Sequence, residues 1–269
     1  MAGLRRWLLI SEAHVRKVMC MAKARFARGS TLAIWFLGLA ILVAVTAQPS
    51  RLAASGPAVT SEPAASAADG SLDVRAFRFL NAGIVNPVFD TVMPFLTDFK
   101  KWRILALAVW LGLIILGGRK GRWAALLLIP LVAASDQLTS SVIKPLTMRL
   151  RPCEVLGHVH LWYQGTHWIW TPSDAVGGFK TSFGFPSSHA ANFTASMLLL
   201  SLVYRRWVPY ICLPFAGLIS LSRVYIGVHW PSDVLVGIAI GAALGWVAYL
   251  GFKKIMVLRK PRPTAPDRP

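Results

Sequence analysis

Polar and ionisable side chains in this sequence concentrate in three short segments that are separated by long apolar runs. The segments are residues 144–152, 185–189 and 222–233. They contain lysine, arginine, histidine, serine and aspartate, which are residue types that bind anions and move protons. We therefore expect the chemistry of the chain in these three segments.

The third segment pairs a histidine with a carboxylate. His229 precedes Pro231, a residue type that is favoured in the first turn of a helix, and Asp233 follows within that turn. Their separation of four residues lets the carboxylate reach the imidazole ring. A carboxylate that holds one ring nitrogen fixes the tautomer and leaves the other nitrogen free to act as a nucleophile.

The three segments also contain groups that suit a phosphate anion. Ser187 follows Pro186 and precedes an apolar run, so we predict that it caps a helix whose first N–H groups would point at an anion. Arg151 and Arg223 can each hold two phosphate oxygens, while Lys144 supplies a compact charge. Fixed cations and N–H donors of this kind are what phosphoryl transfer requires, because charge develops on the equatorial oxygens.

In order and spacing, the three segments resemble the motifs of the type 2 phosphatidic acid phosphatase (PAP2) family. Residues 144–152 are similar to the first motif, which reads Lys, six residues, Arg-Pro. Residues 185–189, Phe-Pro-Ser-Ser-His, are similar to the second, Pro-Ser-Gly-His. Residues 222–233 are similar to the third, which reads Ser-Arg, five residues, His, three residues, Asp. The resemblance covers about residues 80–252.

The resemblance implies a role for each site residue. His229 would form a phosphohistidine intermediate with Asp233 as its partner, and His189 would act as the general acid. The residues alone also permit the reverse assignment of the two histidines. Ser188 stands where the family usually has glycine, but serine keeps its backbone N–H, so we expect phosphate binding to survive. The implied phosphate-binding residues are Lys144, Arg151, Ser187, Ser188 and Arg223, and no metal or cofactor is expected.

The composition indicates a membrane protein. The 269 residues are 55% hydrophobic and 15% charged, with a formal net charge of +18, a combination that soluble domains rarely show. Lysine and arginine lie in short clusters between apolar runs, not on one face interleaved with aromatic residues, so we expect no nucleic-acid partner. Arg149 is interpreted as a basic residue that faces lipid head groups.

The apolar runs predict an all-α fold, a polytopic bundle of about six transmembrane helices with a PAP2-like, haloperoxidase-like core. A span needs about 20 mostly apolar residues. The charge of the loops places both termini in the cytoplasm and all three polar segments at the outer membrane face. The predicted spans are residues 31–47, 103–116, 123–142, 190–203, 208–221 and 234–252.

The same patterns predict the domain organisation. The first span is either a transmembrane helix or a signal sequence, because small residues at its end have the spacing of a cleavage site. The segment after it is rich in Ala, Ser and Pro, which is typical of a flexible linker. The predicted parts are a basic cytoplasmic segment 1–30, the first span 31–47, the linker 48–75, the catalytic membrane domain 76–255 and a basic tail 256–269.

Two further features receive structural interpretations. The outer loop, residues 153–185, contains three histidines and three tryptophans, and it is expected to be an aromatic lid that contacts lipid instead of a metal site. Asp136 lies within the third predicted span, where a carboxylate is costly unless it is paired. We expect it to bond a neighbouring helix.

The sequence thus predicts an integral lipid phosphatase of the inner (cytoplasmic) membrane with an extracytoplasmic site. If the source is a bacterium, the resemblance implies substrates such as undecaprenyl diphosphate, phosphatidylglycerophosphate or lipid A. The expected partners are such a lipid phosphate and the bilayer, and the sequence makes no prediction about oligomers. Two alternatives are a lipid-to-lipid phosphotransferase, which would share the phosphohistidine step, and a transporter, which would place polar residues at mid-membrane in several spans.

Overall fold

The computed structural model describes residues 71–173, 178–179 and 182–258. The predicted N-terminal segment, the first predicted span and the end of the tail lie outside the described residues, as do residues 48–70 of the predicted linker. The last residues of the predicted linker, 72–75, instead form the start of a helix, because the first described helix begins at Leu72.

Within the described ranges, the chain forms helices and one short hairpin. Asn86 and Asp98 show how the sequence sets helix starts, because the side chain of Asn86 accepts from the Phe89 N–H at 2.9 Å and that of Asp98 from the Lys100 N–H at 3.0 Å. The elements are α1 (Leu72–Arg78, continued by a π-helix, Phe79–Gly83), α2 (Pro87–Thr97), α3 (Phe99–Ile115), α4 (Gly118–Asp136, continued by a π-helix, Gln137–Ile143), α5 (Lys144–Thr147), α6 (Pro152–Val155), β1 (His160–Tyr163), β2 (His167–Trp170), α7 (Ser188–Val203), α8 (Val208–Tyr225) and α9 (Pro231–Leu258).

Helix α7 is the centre of the bundle and packs against α4, α8 and α9. Its contact with α9 is close because glycine recurs at every fourth position of α9. A Cβ atom added at Gly237 or Gly241 would lie 2.5 or 2.3 Å from the carbonyl oxygen of Ser187 or Ala191. Small residues at this spacing let helix backbones approach each other in membrane proteins. The contact brings the N-terminal ends of α7 and α9 together.

The described helices have the lengths and apolar character of a membrane bundle. Three are long and apolar enough to span a bilayer: Gly118–Val155, Val208–Tyr225 and Pro231–Leu258. Ser188–Val203 is a shorter apolar helix, and Leu72–Gly83 with Pro87–Thr97 would pass as a span only as a pair, which is bent by 113°. The predicted helical membrane fold is confirmed. Four of the predicted spans coincide in position with α4, α7, α8 and α9.

Helix α3 overlaps the predicted span 103–116, has 17 residues and carries three basic side chains among its first five residues. None of its residues is buried. Large apolar side chains along it are 41–76% exposed, which is the surface that a lipid environment would cover. These side chains are Ile104, Leu105, Leu107, Val109, Leu111 and Ile115.

Candidate active site

The site residues meet where the N-terminal ends of α7 and α9 adjoin. The backbone N–H of Ser187 donates to the carbonyl oxygen of Asp233 at 3.0 Å, which fixes one helix start against the other. The turn that follows α8 carries His229, and the chain after α5 carries Arg151. Segments that lie far apart in the sequence therefore share one site, as their motifs predict.

His229 is 2% exposed and lies between two fixed groups. Its Nε2 is 3.3 Å from Nη1 of Arg151, and its Nδ1 is 3.5 Å from Oδ2 of Asp233. An arginine can only donate, so Nε2 is the acceptor and the ring proton belongs on Nδ1, facing the carboxylate. Burial, together with the positive charge of Arg151, holds the pKa of His229 well below its usual value. The ring is therefore neutral, with its Nε2 lone pair available.

Asp233 is 0% exposed and has both carboxylate oxygens held by other groups. Oδ2 accepts the backbone N–H of Trp230 at 3.0 Å, which is half of a capping box at the start of α9. Oδ1 accepts Nη1 of Arg149 at 2.7 Å. The 3.5 Å contact between Oδ2 and His229 is longer than a hydrogen bond, and Nδ1 has no other partner among the described residues.

Arg151 is fixed by main-chain oxygens. Its Nε donates to the carbonyl of Ser182 at 2.7 Å, and its Nη1 donates to the carbonyl of Val228 at 2.8 Å. Its Nη2 donates to the hydroxyl of Ser182 at 2.9 Å and to the carbonyl of Phe183 at 3.2 Å. Arg151 is 6% exposed, and these bonds hold its guanidinium in one orientation against His229.

Lys144, His189 and Arg223 form a second part of the site with few internal partners. Across the described ranges, neither Lys144 nor His189 has a side-chain hydrogen bond or ion pair. Arg223 donates from Nη1 to the hydroxyl of Thr97, and its buried Nε has no partner among the described residues. The positive charges of Arg223, Lys144 and Arg151 all act on His189. This arrangement concentrates positive charge beside both histidines.

The two serines of the second motif have different roles. Ser187 is the N-cap of α7, and its hydroxyl accepts the Ala190 N–H at 3.4 Å, as its position in the sequence predicts. The hydroxyl of Ser188 instead lies 2.9 Å from that of Ser140 on the π-helix that continues α4. Ser188 can therefore offer a phosphate its backbone N–H, whereas its side chain joins two helices.

The hydroxyl pair of Ser188 and Ser140 continues to Asp136. Ser140 donates to Oδ1 of Asp136 at 3.4 Å, and Nδ2 of Asn192 on α7 donates to the same oxygen at 3.2 Å. The prediction that Asp136 bonds a neighbouring helix is confirmed.

The interpretation of Arg149 as a residue that faces lipid head groups is wrong. Its guanidinium joins two carboxylates, Asp233 at 2.7 Å and Asp73 at 2.6 Å, and lies over the ring of Trp230 at 5.3 Å. Asp73 falls within the predicted linker, although Ser71 caps α1 through the Val74 N–H at 3.3 Å. A serine followed two residues later by aspartate is a helix-start signal, and it could have extended the ordered core to this point.

Part of the outer loop forms the hairpin of β1 and β2. Asn81 anchors it, because its Nδ2 donates to the carbonyls of His160 and Tyr225, each at 2.7 Å, and its Oδ1 accepts the His160 N–H at 2.9 Å. His160 is stacked on Trp168 at 4.0 Å, whereas Trp170 is 51% exposed. In the part of the chain that the structure describes, no three potential metal ligands form a cluster. Contact of this loop with lipid stays a prediction.

The chain is similar to one protein family and to several named phosphatases. Residues 125–256 match the model of the PAP2 superfamily. The lipid A 4'-phosphatase of Bacteroides thetaiotaomicron is 28% identical over 184 residues, which cover 66% of this chain and 76% of that protein. The decaprenylphosphoryl-5-phosphoribose phosphatase of Mycobacterium tuberculosis is 34% identical over 145 residues, which cover 54% of this chain and 67% of that protein.

Among solved structures, a transmembrane PAP2-type phosphatidylglycerolphosphate phosphatase from Bacillus subtilis gives a TM-score of 0.48 at 24% identity, covering 72% of this chain and 91% of that chain. The family match includes all three motifs, and the mycobacterial relative shares the family at 34% identity over two thirds of its length. The chain thus belongs to the PAP2 superfamily and is a membrane protein that hydrolyses phosphoric esters.

Proposed function

We propose that this protein removes a phosphate from a membrane lipid through a phosphohistidine formed at His229. The observation that carries the proposal is the fixed orientation of the ring, with Nδ1 facing Asp233 and Nε2 beside Arg151. In this tautomer Nε2 is the ring nitrogen that carries the in-plane lone pair. It is therefore the atom that attacks phosphorus.

In the first half of the reaction, the Nε2–P bond forms and the bond from phosphorus to the lipid oxygen breaks. Lys144, Arg151 and Arg223 stabilise the charge that develops on the equatorial oxygens. The phosphate dianion would also offset the positive charges that act on His189. That ring could then hold the proton that the departing lipid oxygen takes.

In the second half, His189 accepts a proton from water and the water oxygen attacks phosphorus. The Nε2–P bond breaks, inorganic phosphate leaves and His229 returns to its neutral form. Asp233 stabilises the ring while it carries the phosphoryl group, because a carboxylate beside Nδ1–H favours a ring with positive charge. One histidine thus acts as nucleophile while the other first gives and then takes a proton.

The substrate class is a lipid with a phosphate monoester or a terminal diphosphate. Relatives carry names that specify lipid A, an undecaprenyl diphosphate and a phosphatidylglycerophosphate, and all of these have a phosphate on an apolar anchor. The exposed apolar surface of the bundle supports a substrate that is delivered from the bilayer. The charge of its loops supports a site at the outer face of the cytoplasmic membrane, with both termini inside.

The test is to purify the protein and measure inorganic phosphate release from undecaprenyl diphosphate, phosphatidylglycerophosphate, phosphatidic acid and lipid A, with and without EDTA. We expect His229→Ala to lower kcat by at least about 10³-fold on the preferred lipid, because it removes the nucleophile. His167→Ala is the matched control, since His167 is an exposed histidine of the hairpin. It should retain wild-type activity.

Two further measurements separate the parts of the proposal. Rapid quenching with a ³²P-labelled lipid should trap an acid-labile, base-stable phosphoprotein in the wild type and not in His229→Ala. Full activity of His229→Ala would refute the mechanism. Transfer of the label to a second lipid, with no release of inorganic phosphate, would identify the phosphotransferase instead.

A further inference from the structure

Two residues to which the motifs assign no role, Arg149 and Asp73, are connected to the nucleophile through one carboxylate. Arg149 donates from Nη1 to Oδ1 of Asp233 at 2.7 Å and from Nη2 to Oδ2 of Asp73 at 2.6 Å. The opposite oxygen of Asp233, Oδ2, is the one that faces His229 at 3.5 Å. A continuous chain of polar contacts therefore runs from Asp73 through Arg149 and Asp233 to His229.

Asp73 is held in turn by the first turn of α9. Its Oδ1 accepts the backbone N–H of Ser232 at 2.9 Å, and its Oδ2 accepts the hydroxyl of Ser232 at 2.6 Å. Arg149 also donates to that hydroxyl at 2.6 Å. An aspartate at the N-terminus of a helix is stabilised by the helix dipole. Asp73 thus fixes the far side of Arg149 to the same helix start that carries Asp233.

The carboxylate of Asp233 is enclosed on its remaining side. A Cβ atom added at Gly184 would lie 3.0 Å from Oδ2, and the Gly184 N–H donates to the carbonyl of Arg149 at 2.8 Å. The indole of Trp230 donates to the carbonyl of Leu150 at 3.0 Å, which holds the segment of Arg149 against the His229 turn. Rotation of the carboxylate is therefore opposed by Arg149 at one oxygen and by packing at the other.

A surface ion pair would not have this effect, because exposed pairs contribute little and move freely. Here the side chain of Arg149 is 35% exposed, but that of Asp233 is 0% exposed, and a buried carboxylate requires a charged partner with good hydrogen bonds. Arg149 is that partner, and both ends of its guanidinium are occupied by carboxylates. Both terminal nitrogens of Arg149 therefore already have a carboxylate partner, whereas the ammonium group of Lys144 has no hydrogen bond or ion pair with the described residues.

We infer that Arg149 and Asp73 are positioning residues that hold Asp233 against His229. The inference rests on the proposed function and extends it, since it connects helix α1 to the alignment of the nucleophile. It predicts that loss of Arg149 lowers the rate of phosphoryl transfer to His229 and leaves the binding of the lipid phosphate nearly unchanged.

The test measures kcat and KM on the preferred lipid phosphate for Arg149→Gln, Arg149→Lys and Asp73→Asn. We expect Arg149→Gln to lower kcat about 10- to 100-fold, the range found when groups that orient a catalytic ligand are removed, with KM within about 3-fold of wild type. Arg149→Lys should recover part of that loss, because it restores one charged donor. Arg75→Gln is the control, as Arg75 is an exposed arginine of the same helix α1.

A double-mutant cycle gives a measurement that general destabilisation would not reproduce. Because Arg149 acts through Asp233, adding Arg149→Gln to Asp233→Asn should lower kcat by less than about 3-fold further. Multiplicative losses in the double mutant would overturn the inference, as would a large rise in KM with unchanged kcat. If Arg149→Gln does not fold, Asp73→Asn provides the same cycle, because it leaves Arg149 in place.

The failure of this inference differs from the failure of the proposed function. Activity that survives His229→Ala refutes the phosphohistidine itself. An inactive His229→Ala together with a fully active Arg149→Gln refutes only the positioning role.

Discussion

The two halves of the active site differ in how their polar groups are held. Around His229, the ring, the carboxylate and the guanidinium of Arg151 are buried and fixed by protein atoms, many of them main-chain. The side chains of Lys144 and His189 have no hydrogen bond or ion pair with other described residues. The half that we propose forms the bond to phosphorus is thus preorganised, whereas the other half has donors that the proposed substrate could use.

Replacement of Arg151 tests this difference directly and should have the largest effect of the substitutions that compare the two halves. Arg151→Lys removes the fork that joins Nε2 of His229 to the carbonyls of Val228 and Ser182. We expect kcat/KM to fall about 10²- to 10³-fold, the usual loss for one fixed donor. We also expect the free energy of unfolding to fall by about 2–3 kcal/mol, because buried carbonyls lose their donors.

Lys144→Gln is the comparison for that variant. It removes a charge from the substrate-binding half, so kcat/KM should fall while the thermal midpoint in detergent stays within about 1 °C of wild type. Equal destabilisation by both substitutions would show that the polar groups of the two halves are held equally firmly by the protein.

The sequence predicts the motif residues because their chemistry recurs at fixed spacing. It also predicts four of the helices from apolar length alone. The chain of contacts through Asp73 could not be predicted in this way, because 76 residues separate Asp73 from Arg149 and no local period relates them. The direction of the Ser188 hydroxyl depends likewise on Ser140, which belongs to another helix.

Ser188→Gly gives a smaller effect that separates structure from catalysis at the second motif. Glycine is the usual family residue, and it keeps the backbone N–H that could bind phosphate. It loses the hydroxyl contact with Ser140, so we expect the unfolding free energy to fall by about 1–2 kcal/mol. Activity should stay within about 3-fold of wild type. Ser140→Ala should have a similar effect on stability, and the two should not add in the double variant.

Retained stability in Ser188→Gly would show that the hydroxyl pair contributes nothing. A large loss of activity with unchanged stability would instead place the Ser188 hydroxyl on the phosphate, in the substrate-binding half of the site.

The dependence of stability on pH is the smallest effect, and it reports how thoroughly His229, the proposed nucleophile, is buried. Burial keeps the pKa of His229 well below its usual value, so the folded ring stays neutral as the pH falls. The unfolded ring binds a proton below about pH 6.5, which favours unfolding there. The contribution of His229 to stability is therefore complete above that pH and is lost progressively below it. Between pH 7 and pH 6 the loss should be about 0.7 kcal/mol.

His229→Gln cannot take up this proton, so its thermal midpoint in detergent should fall less between pH 7 and pH 6, by about 2 °C relative to wild type. The difference between the two proteins isolates His229, because the other histidines are present in both. Parallel changes in the two would mean that the ring is charged, or open to solvent, in the folded protein. The nucleophile would then belong with the open half of the site, and the contrast between its two halves would disappear.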